Sequence, residues 1–255
     1  MTTFLINNPL EQFEINDFVF VMAPLFGVTK FSLTNIGFYL ILVVTFILSM
    51  HLLANNNRKV IANRWTISTE GTYGSILNMV REQIGVSNEL YVPFIFTLFN
   101  FILFNNLIGM VPYSFTPTSH LALTISLSIA IFIGVTILGF QSHGLKFFAY
   151  FVPVGTPLGL VPLLVIIELL SYTARAVSLG LRLGANVIAG HSLLKIISTF
   201  TWNIVGAGPV LLLVSILPLL FLTALCSLEF GIAILQAFVF SVLTCSYLKD
   251  AIHLH

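Results

Sequence analysis

Glu168, Arg175, Arg182 and Asn186 lie in one long apolar stretch, ELLSYTARAVSLGLRLGANVIAGHSLLK, which also holds His191 and Lys195. An arginine at the centre of a hydrocarbon layer costs roughly 2.5–3.5 kcal/mol on insertion scales. Two arginines and a glutamate in one such stretch therefore need a reason. Glu168, Arg175 and Arg182 are seven apart, and on a helix at about 100° per residue each such step drifts only about 20°. Asn186 follows Arg182 by one turn. The four form one polar stripe on an apolar helix, with His191 and Lys195 roughly on the opposite side. The chemistry open to such a stripe is the handling of charge. It must face protein, a water-filled cavity or a moving ion.

A second stripe lies near the C-terminus, where Glu229, Gln236, Phe240 and Tyr247 share a helical face with Asp250 close by. Folding the two stretches as an antiparallel hairpin, with Arg182 set opposite Gln236, puts Glu168 opposite Asp250 and His191 within two residues of Glu229. The polar groups then form three levels: an acidic pair, an arginine–amide pair, and a histidine–carboxylate pair. A proton route needs this arrangement, with titratable groups leading in from each side and a separator that keeps its proton. Arginine fits the separator, since its pKa exceeds about 12.

The elements that position these groups are those of a membrane protein. Of 255 residues, 58% are hydrophobic and 7% charged, against about 25% charged in soluble domains. The expected fold is an all-α polytopic membrane protein with about five embedded helices and one surface amphipathic helix. The net charge of +1 argues against nucleic acid as a partner. Cys226 and Cys245 would stand roughly 28 Å apart on one helix, too far to bridge. No secretory signal and no Arg-rich import peptide is evident at the N-terminus.

In chain order, residues 1–32 read as an interfacial lead-in with Pro9, Pro24 and several acids. Residues 33–53 match a first spanning helix, with His51 at its interfacial end. Arg58, Lys59 and Arg64 follow, and the positive-inside rule puts that loop on the inner side and the N-terminus outside. Residues 68–89 are too polar to span, but Ile76, Leu77, Val80 and Ile84 have helical spacing and suggest an amphipathic helix on the inner surface. Residues 91–140 form an apolar hairpin whose tip holds Pro112 and Pro117. Asn105 and Asn106 are intramembrane amides, of the kind that bond a neighbouring helix. Residues 141–156, with Lys146, return to the inner side. Residues 157–250 hold two apolar segments too long to cross a core of about 30 Å upright. Two steeply inclined helices joined at NIVGAGP are expected, with Pro218 kinking the second only locally.

These residues carry a resemblance. SLGLRLGANVIAGH, VPLLVIIELLSYTARA before it and SLEFGIAILQAFVFSVLTCSYLKDAIHLH at the end resemble subunit a of F-type ATP synthase. PLEQFEI and NLIGMVPYSF match as well, and the likeness, of mitochondrial fungal type, covers essentially the whole chain. The resemblance implies a stator subunit, without catalytic chemistry or cofactor, whose two tilted helices line a rotating ring of c subunits. Protons would pass through two offset half-channels to and from the ring carboxylates. It implies that Arg182 blocks a direct leak and attracts the ring carboxylate, with Gln236 and Asn186 beside it. It places His191 and Glu229 on the intermembrane-space route and Glu168 and Asp250 on the matrix route. It further implies the mitochondrial inner membrane, a matrix-facing C-terminus, and subunit b and small membrane subunits as partners.

The remaining polar residues have plainer readings. Arg175 reads as structural, binding helix ends or lipid headgroups, because Glu168 at seven residues exceeds the favoured i+3 or i+4 reach. Lys195 reads as a snorkelling or partner residue, His120 and His143 as solvated loop-edge residues, and His253 and His255 as interfacial. Gly180 and Gly184 form a small-xxx-small pair that would admit a close helix on the face opposite the arginine. A proton-coupled secondary transporter or antiporter-like subunit is the alternative, but such folds usually show internal repeats, and the two long segments carry different motifs. No G-x4-GK[ST], HExxH or GxSxG is present, so neither a nucleotide loop nor these enzyme signatures can be assigned.

Overall fold

A computed structural model describes residues 9–23, 29–55, 63–111, 114–144, 147, 159–206 and 211–252. Arg58, Lys59, Lys146, Pro112, His253 and His255 lie outside them, as does the end of the NIVGAGP turn. Six α-helices dominate: α1 (Asn35–Ala54), α2 (Arg64–Ile84), α3 (Val92–Gly109), α4 (Leu121–His143), α5 (Val161–Gly206) and α6 (Leu211–Ile252). Five stretches, all but α2, are long and apolar enough to cross a membrane. The fold is thus that of an all-α polytopic membrane protein.

Before α1 comes a feature that the lead-in reading missed. Strands β1 (Asp17–Ala23) and β2 (Thr29–Thr34) pair antiparallel, with Val21 opposite Phe31 and Ala23 opposite Thr29. The segment DFVFVMA is rich in β-branched and aromatic residues; its strand ends at Ala23, just before Pro24, and the lead-in reading noted the prolines and acids but no strand. Thr34 then caps α1 by accepting from the Gly37 N–H at 3.4 Å. Gly85, at φ +99°, ends α2 in a conformation that favours glycine.

Helix α2 carries Ile76, Met79, Val80 and Ile84 on one buried face. That face does not simply rest on lipid. It joins a core with Val92, Ile95 and Ile102 of α3 and with Leu248 and Ala251 of α6. Hydroxyls that would be costly in an apolar layer are satisfied locally: Thr45, Thr136, Thr173, Thr199 and Thr244 each donate to the carbonyl one turn back.

Helices α5 and α6 have 46 and 42 residues. At 1.5 Å per residue they span about 69 Å and about 63 Å, roughly twice the hydrocarbon core. Pro218 is accommodated inside α6 without ending it. The two run antiparallel, and α6 also packs against α2, α3 and α4. On the other side of α5, Gly180 and Gly184 face α4. A Cβ on Gly180 would lie 2.8 Å from the Thr124 carbonyl oxygen, and one on Gly184 would lie 2.9 Å from Thr124 Oγ1. The small-residue pair is therefore a close helix–helix contact. The Ser128 hydroxyl donates to the Ala176 carbonyl across the same seam.

The two loop-edge histidines are not solvated as the sequence suggested. His120 is half-buried, stacked on Phe115 with ring centres 5.3 Å apart. Burial alone lowers its pKa from the ordinary value. His143 holds the Ile252 carbonyl at 2.9 Å and ties the last turn of α6 to α4. The causes differ: His120 is covered by an aromatic from its own loop, while His143, at the end of α4, meets the end of α6, which a linear reading leaves distant.

Candidate functional site

The polar stripe of α5 meets α6 at three levels. At the first, Arg175 Nη2 lies 3.1 Å from Glu168 Oε1 and Nη1 lies 3.5 Å from Asp250 Oδ2. One guanidinium thus spans two carboxylates, all three side chains about a third exposed. This corrects the view that Glu168 is out of reach of Arg175. Helical side chains lean toward the N-terminus, and the small angular drift over seven residues leaves the two nearly in line. The length of the arginine covers the remaining rise. Glu168 and Asp250 are brought together as the hairpin register suggested, but through Arg175 rather than directly. Tyr247 donates from its hydroxyl to the Arg175 carbonyl at 3.1 Å, and the guanidinium stands 5.9 Å from the Tyr172 ring centre.

At the second level, the expected pairing of Arg182 with Gln236 does not occur. Gln236 is 6% exposed and accepts from Asn186 Nδ2 at 3.1 Å. The amide one turn along α5 from Arg182 takes the partner instead. Arg182 itself lies on the exposed face of α5, and no hydrogen bond or ion pair joins it to another described residue. Around it the surface is built of small side chains, Ala174, Ser178 and Ala185, with Val177 and Leu181.

At the third level, His191 Nδ1 and Glu229 Oε1 are 3.6 Å apart, an ionic separation too long for a hydrogen bond. Glu229 is 8% exposed, and neither carboxylate oxygen has a hydrogen-bond partner among the described residues. Gly190 makes the approach possible, since a Cβ there would stand 2.6 Å from Glu229 Oε1. The other ring nitrogen of His191 lies 3.3 Å from Thr116 Oγ1, and Phe13 packs edge-on against the imidazole at 6.5 Å between centres.

Sequence reasoning missed Phe13 and Thr116. Both come from segments remote in the chain, and neither carries a periodic signal. Asn106 was singled out as a helix-bonding amide, and it does reach the Ala233 carbonyl on α6 at 3.3 Å. Asn105 instead bonds within its own helix, to the Phe101 carbonyl at 2.7 Å.

Two cavities flank the middle level. An open cleft of about 500 Å³ runs along Arg175, Arg182, Ser246, Tyr247 and Asp250. A small one of about 20 Å³ is lined by Asn106, Asn186, His191, Glu229 and Gln236. They share no lining residue. Among the described residues no cluster of three or more His, Cys, Asp or Glu side chains could hold a metal ion. The arrangement can pass protons among carboxylates, histidine and water from either end, and it offers one fixed positive charge between the two ends.

The family model for the ATP synthase A chain matches residues 37–249. ATP synthase subunit a of Mycosarcoma maydis is 50% identical over 252 residues, covering 99% of each chain. That of Podospora anserina is 52% identical over 250 residues, covering 98% of this chain and 95% of the relative. That of Saccharomyces cerevisiae is 50% identical over 251 residues, covering 98% and 97%. With the family model matching most of its length and relatives at half identity along nearly all of it, the chain belongs to the ATP synthase subunit a family.

Proposed function

We propose that this chain is the stator proton-conducting subunit of the ATP synthase membrane sector, in the mitochondrial inner membrane, with no catalytic chemistry of its own. Its residues 1–255 act as a single membrane domain. The N-terminus faces the intermembrane space, and the C-terminus faces the matrix. The α5–α6 hairpin lies steeply tilted along the ring of c subunits, and subunit b and small membrane subunits hold the other helices.

The observation that carries this reading is Arg182. A permanent charge in the middle of a membrane-embedded helix, exposed and without an ion pair among the described residues, calls for an anion from outside. A carboxylate on a neighbouring helix meets that need, and the small side chains around Arg182 let such a helix approach closely. The separate cavities support two offset half-channels. Glu229 and His191 receive protons at the intermembrane-space side. Glu168 and Asp250 release them at the matrix side. Arg182 holds the arriving ring carboxylate ionised and keeps protons from crossing directly, because it does not give up its own. Gln236 and Asn186 fix the helix contact beside it.

The test is Arg182→Ala in an assembled complex, with ATP-driven proton pumping and passive proton leak measured in inner-membrane vesicles. Pumping is abolished and leak is raised if Arg182 separates the two routes. Wild-type pumping in an assembled complex refutes the reading.

A further inference from the structure

Thr116 lies in the turn between α3 and α4 and is buried, at 4% exposed. Its backbone is pinned there. Ser119 donates to the Thr116 carbonyl from its amide at 3.1 Å and from its hydroxyl at 2.7 Å. The Thr116 hydroxyl has two neighbours, the Gly109 carbonyl at 3.4 Å and His191 Nε2 at 3.3 Å. The first approach depends on residue 109 having no side chain, since a Cβ there would stand 2.5 Å from Thr116 Oγ1. One hydroxyl hydrogen cannot serve both neighbours. Ser114 also reaches the Gly109 carbonyl, at 3.1 Å, but its hydroxyl is closer to the Ile108 carbonyl, at 2.6 Å, and gives its hydrogen there. That leaves the Gly109 carbonyl, at the end of α3, to Thr116. A carbonyl only accepts, so Thr116 donates to it and turns a lone pair toward His191.

We infer that Thr116 is a positioning residue that fixes the tautomer of His191, with the ring proton on Nε2 and the lone pair of Nδ1 turned to Glu229. The inference rests on the proton-conduction reading and adds a residue to it. Glu229 is the ionisable group that faces His191 from α6, with Nδ1 and Oε1 3.6 Å apart. From the N-terminal turn Pro9–Phe13 it is the Phe13 ring that faces it, with Glu11 exposed on the same turn. Lys195 follows one turn along α5 itself. When Nδ1 and Oε1 close to hydrogen-bond distance, a protonated Glu229 can pass its proton to the ring. The carboxyl O–H bond breaks, the Nδ1–H bond forms, and the imidazolium returns the proton by the reverse step. Nε2 is a dead end, because the Gly109 carbonyl behind Thr116 has no proton to pass on. Without the hydroxyl, an ionised Glu229 draws the ring proton to Nδ1, and the nitrogen that must accept is occupied. Thr116 thus makes His191 a base with one working nitrogen.

Thr116→Ser and Thr116→Ala differ by the hydroxyl alone and form the test. ATP-driven proton pumping is measured in inner-membrane vesicles carrying the assembled complex, equilibrated on both faces at about pH 8 and at about pH 6, either side of the ordinary histidine titration. An imidazolium carries hydrogens on both nitrogens, so the tautomer ceases to matter in acid. The serine variant pumps as wild type at both values. The alanine variant pumps roughly three- to tenfold more slowly than serine at the higher pH, the scale of one hydrogen bond, and approaches it at the lower. A merely structural role slows pumping by the same factor at both values, or harms serine and alanine alike, and either result overturns the proposal, as does equal pumping by the two. Should the alanine variant fail to assemble, Thr116→Val, which keeps the branched shape, takes its place. A map of the wild-type complex decides the geometry without any variant. His191 Nε2 within hydrogen-bond reach of Thr116 Oγ1 is expected, and a ring turned to leave Nε2 without that partner overturns the assignment. Normal pumping in Arg182→Ala would instead strike the underlying reading, so the two failures are distinguishable.

Discussion

Gly180→Ala probes the packing that places Arg182. The added Cβ would stand 2.8 Å from the Thr124 carbonyl oxygen and 2.9 Å from Ile125 Cα, while ordinary carbon contacts lie at about 3.5–4.0 Å. Both close atoms are backbone, so no rotamer change relieves the clash, and α5 must move off α4 by roughly 0.6–1 Å. Overpacking of this kind costs about 1–3 kcal/mol. Losing the hydrogen bond from Ser128 to the Ala176 carbonyl adds about 0.6 kcal/mol. Replacing a helical glycine returns about 1 kcal/mol. The net is a destabilisation of roughly 0.5–2.5 kcal/mol. Arg182 is on the opposite face of α5 and moves with the helix axis, and a displacement approaching 1 Å in a reacting geometry can cost about a hundredfold in rate. The assay is native-gel assembly and thermal dissociation of the complex, followed by ATP-driven proton pumping. Gly134→Ala on α4, where a Cβ would meet nothing within 4 Å, is the control and should be neutral. A Gly180→Ala complex that assembles, dissociates at the wild-type temperature and pumps normally would refute the reasoning.

Arg175→Gln removes the cation that bridges Glu168 and Asp250. Each pair is partly solvated and worth about 1 kcal/mol or less, so assembly on native gels should persist while pumping falls several-fold. Arg175→Lys should restore only part of it, since an ammonium cannot fork across two carboxylates; full rescue by lysine would show that geometry at this level is unimportant. His120 gives a pH dependence. Its folded-state pKa is lowered by burial from 6.5, so the stability of the neutral, stacked ring is present above 6.5 and is lost as pH falls below it. Amide exchange around residues 114–121 should therefore quicken below pH 6.5 in the wild type, and His120→Phe should abolish that acid sensitivity. Identical pH profiles in the two would sink the argument.

Much of the candidate site was legible because its signal is periodic. The seven-residue spacing of Glu168, Arg175 and Arg182 places them on one face whatever the helix packs against, and the second stripe on α6 is visible for the same reason. The facing register was not legible to better than a turn. Pairing Arg182 with Gln236 and pairing Asn186 with Gln236 differ by one helical repeat, and both keep the stripes together. Side-chain interdigitation between the helices settles that choice, and it leaves no mark on periodicity. The Glu168–Arg175 contact was lost to a neighbour rule that describes adjacent turns and ignores the reach of arginine. Phe13, Thr116 and the β1–β2 hairpin were missed because their meaning comes from what they fold against. Phe13 looks like any interfacial aromatic until His191 is seen beneath it.

Helix α6 follows the other described helices, yet it packs against α2, α3, α4 and α5, with its last turn held by His143. During synthesis, α5 therefore enters the bilayer before Asp250, Gln236 and Glu229 exist to meet Arg175, Asn186 and His191. Until α6 arrives, the nascent bundle has an uncovered flank and a set of polar groups in lipid that must be shielded by insertion factors, other subunits or water. The sequence order thus makes a late-assembling protein. Truncations within α6 should be cleared as unfinished membrane bundles rather than accumulate as partly active ones.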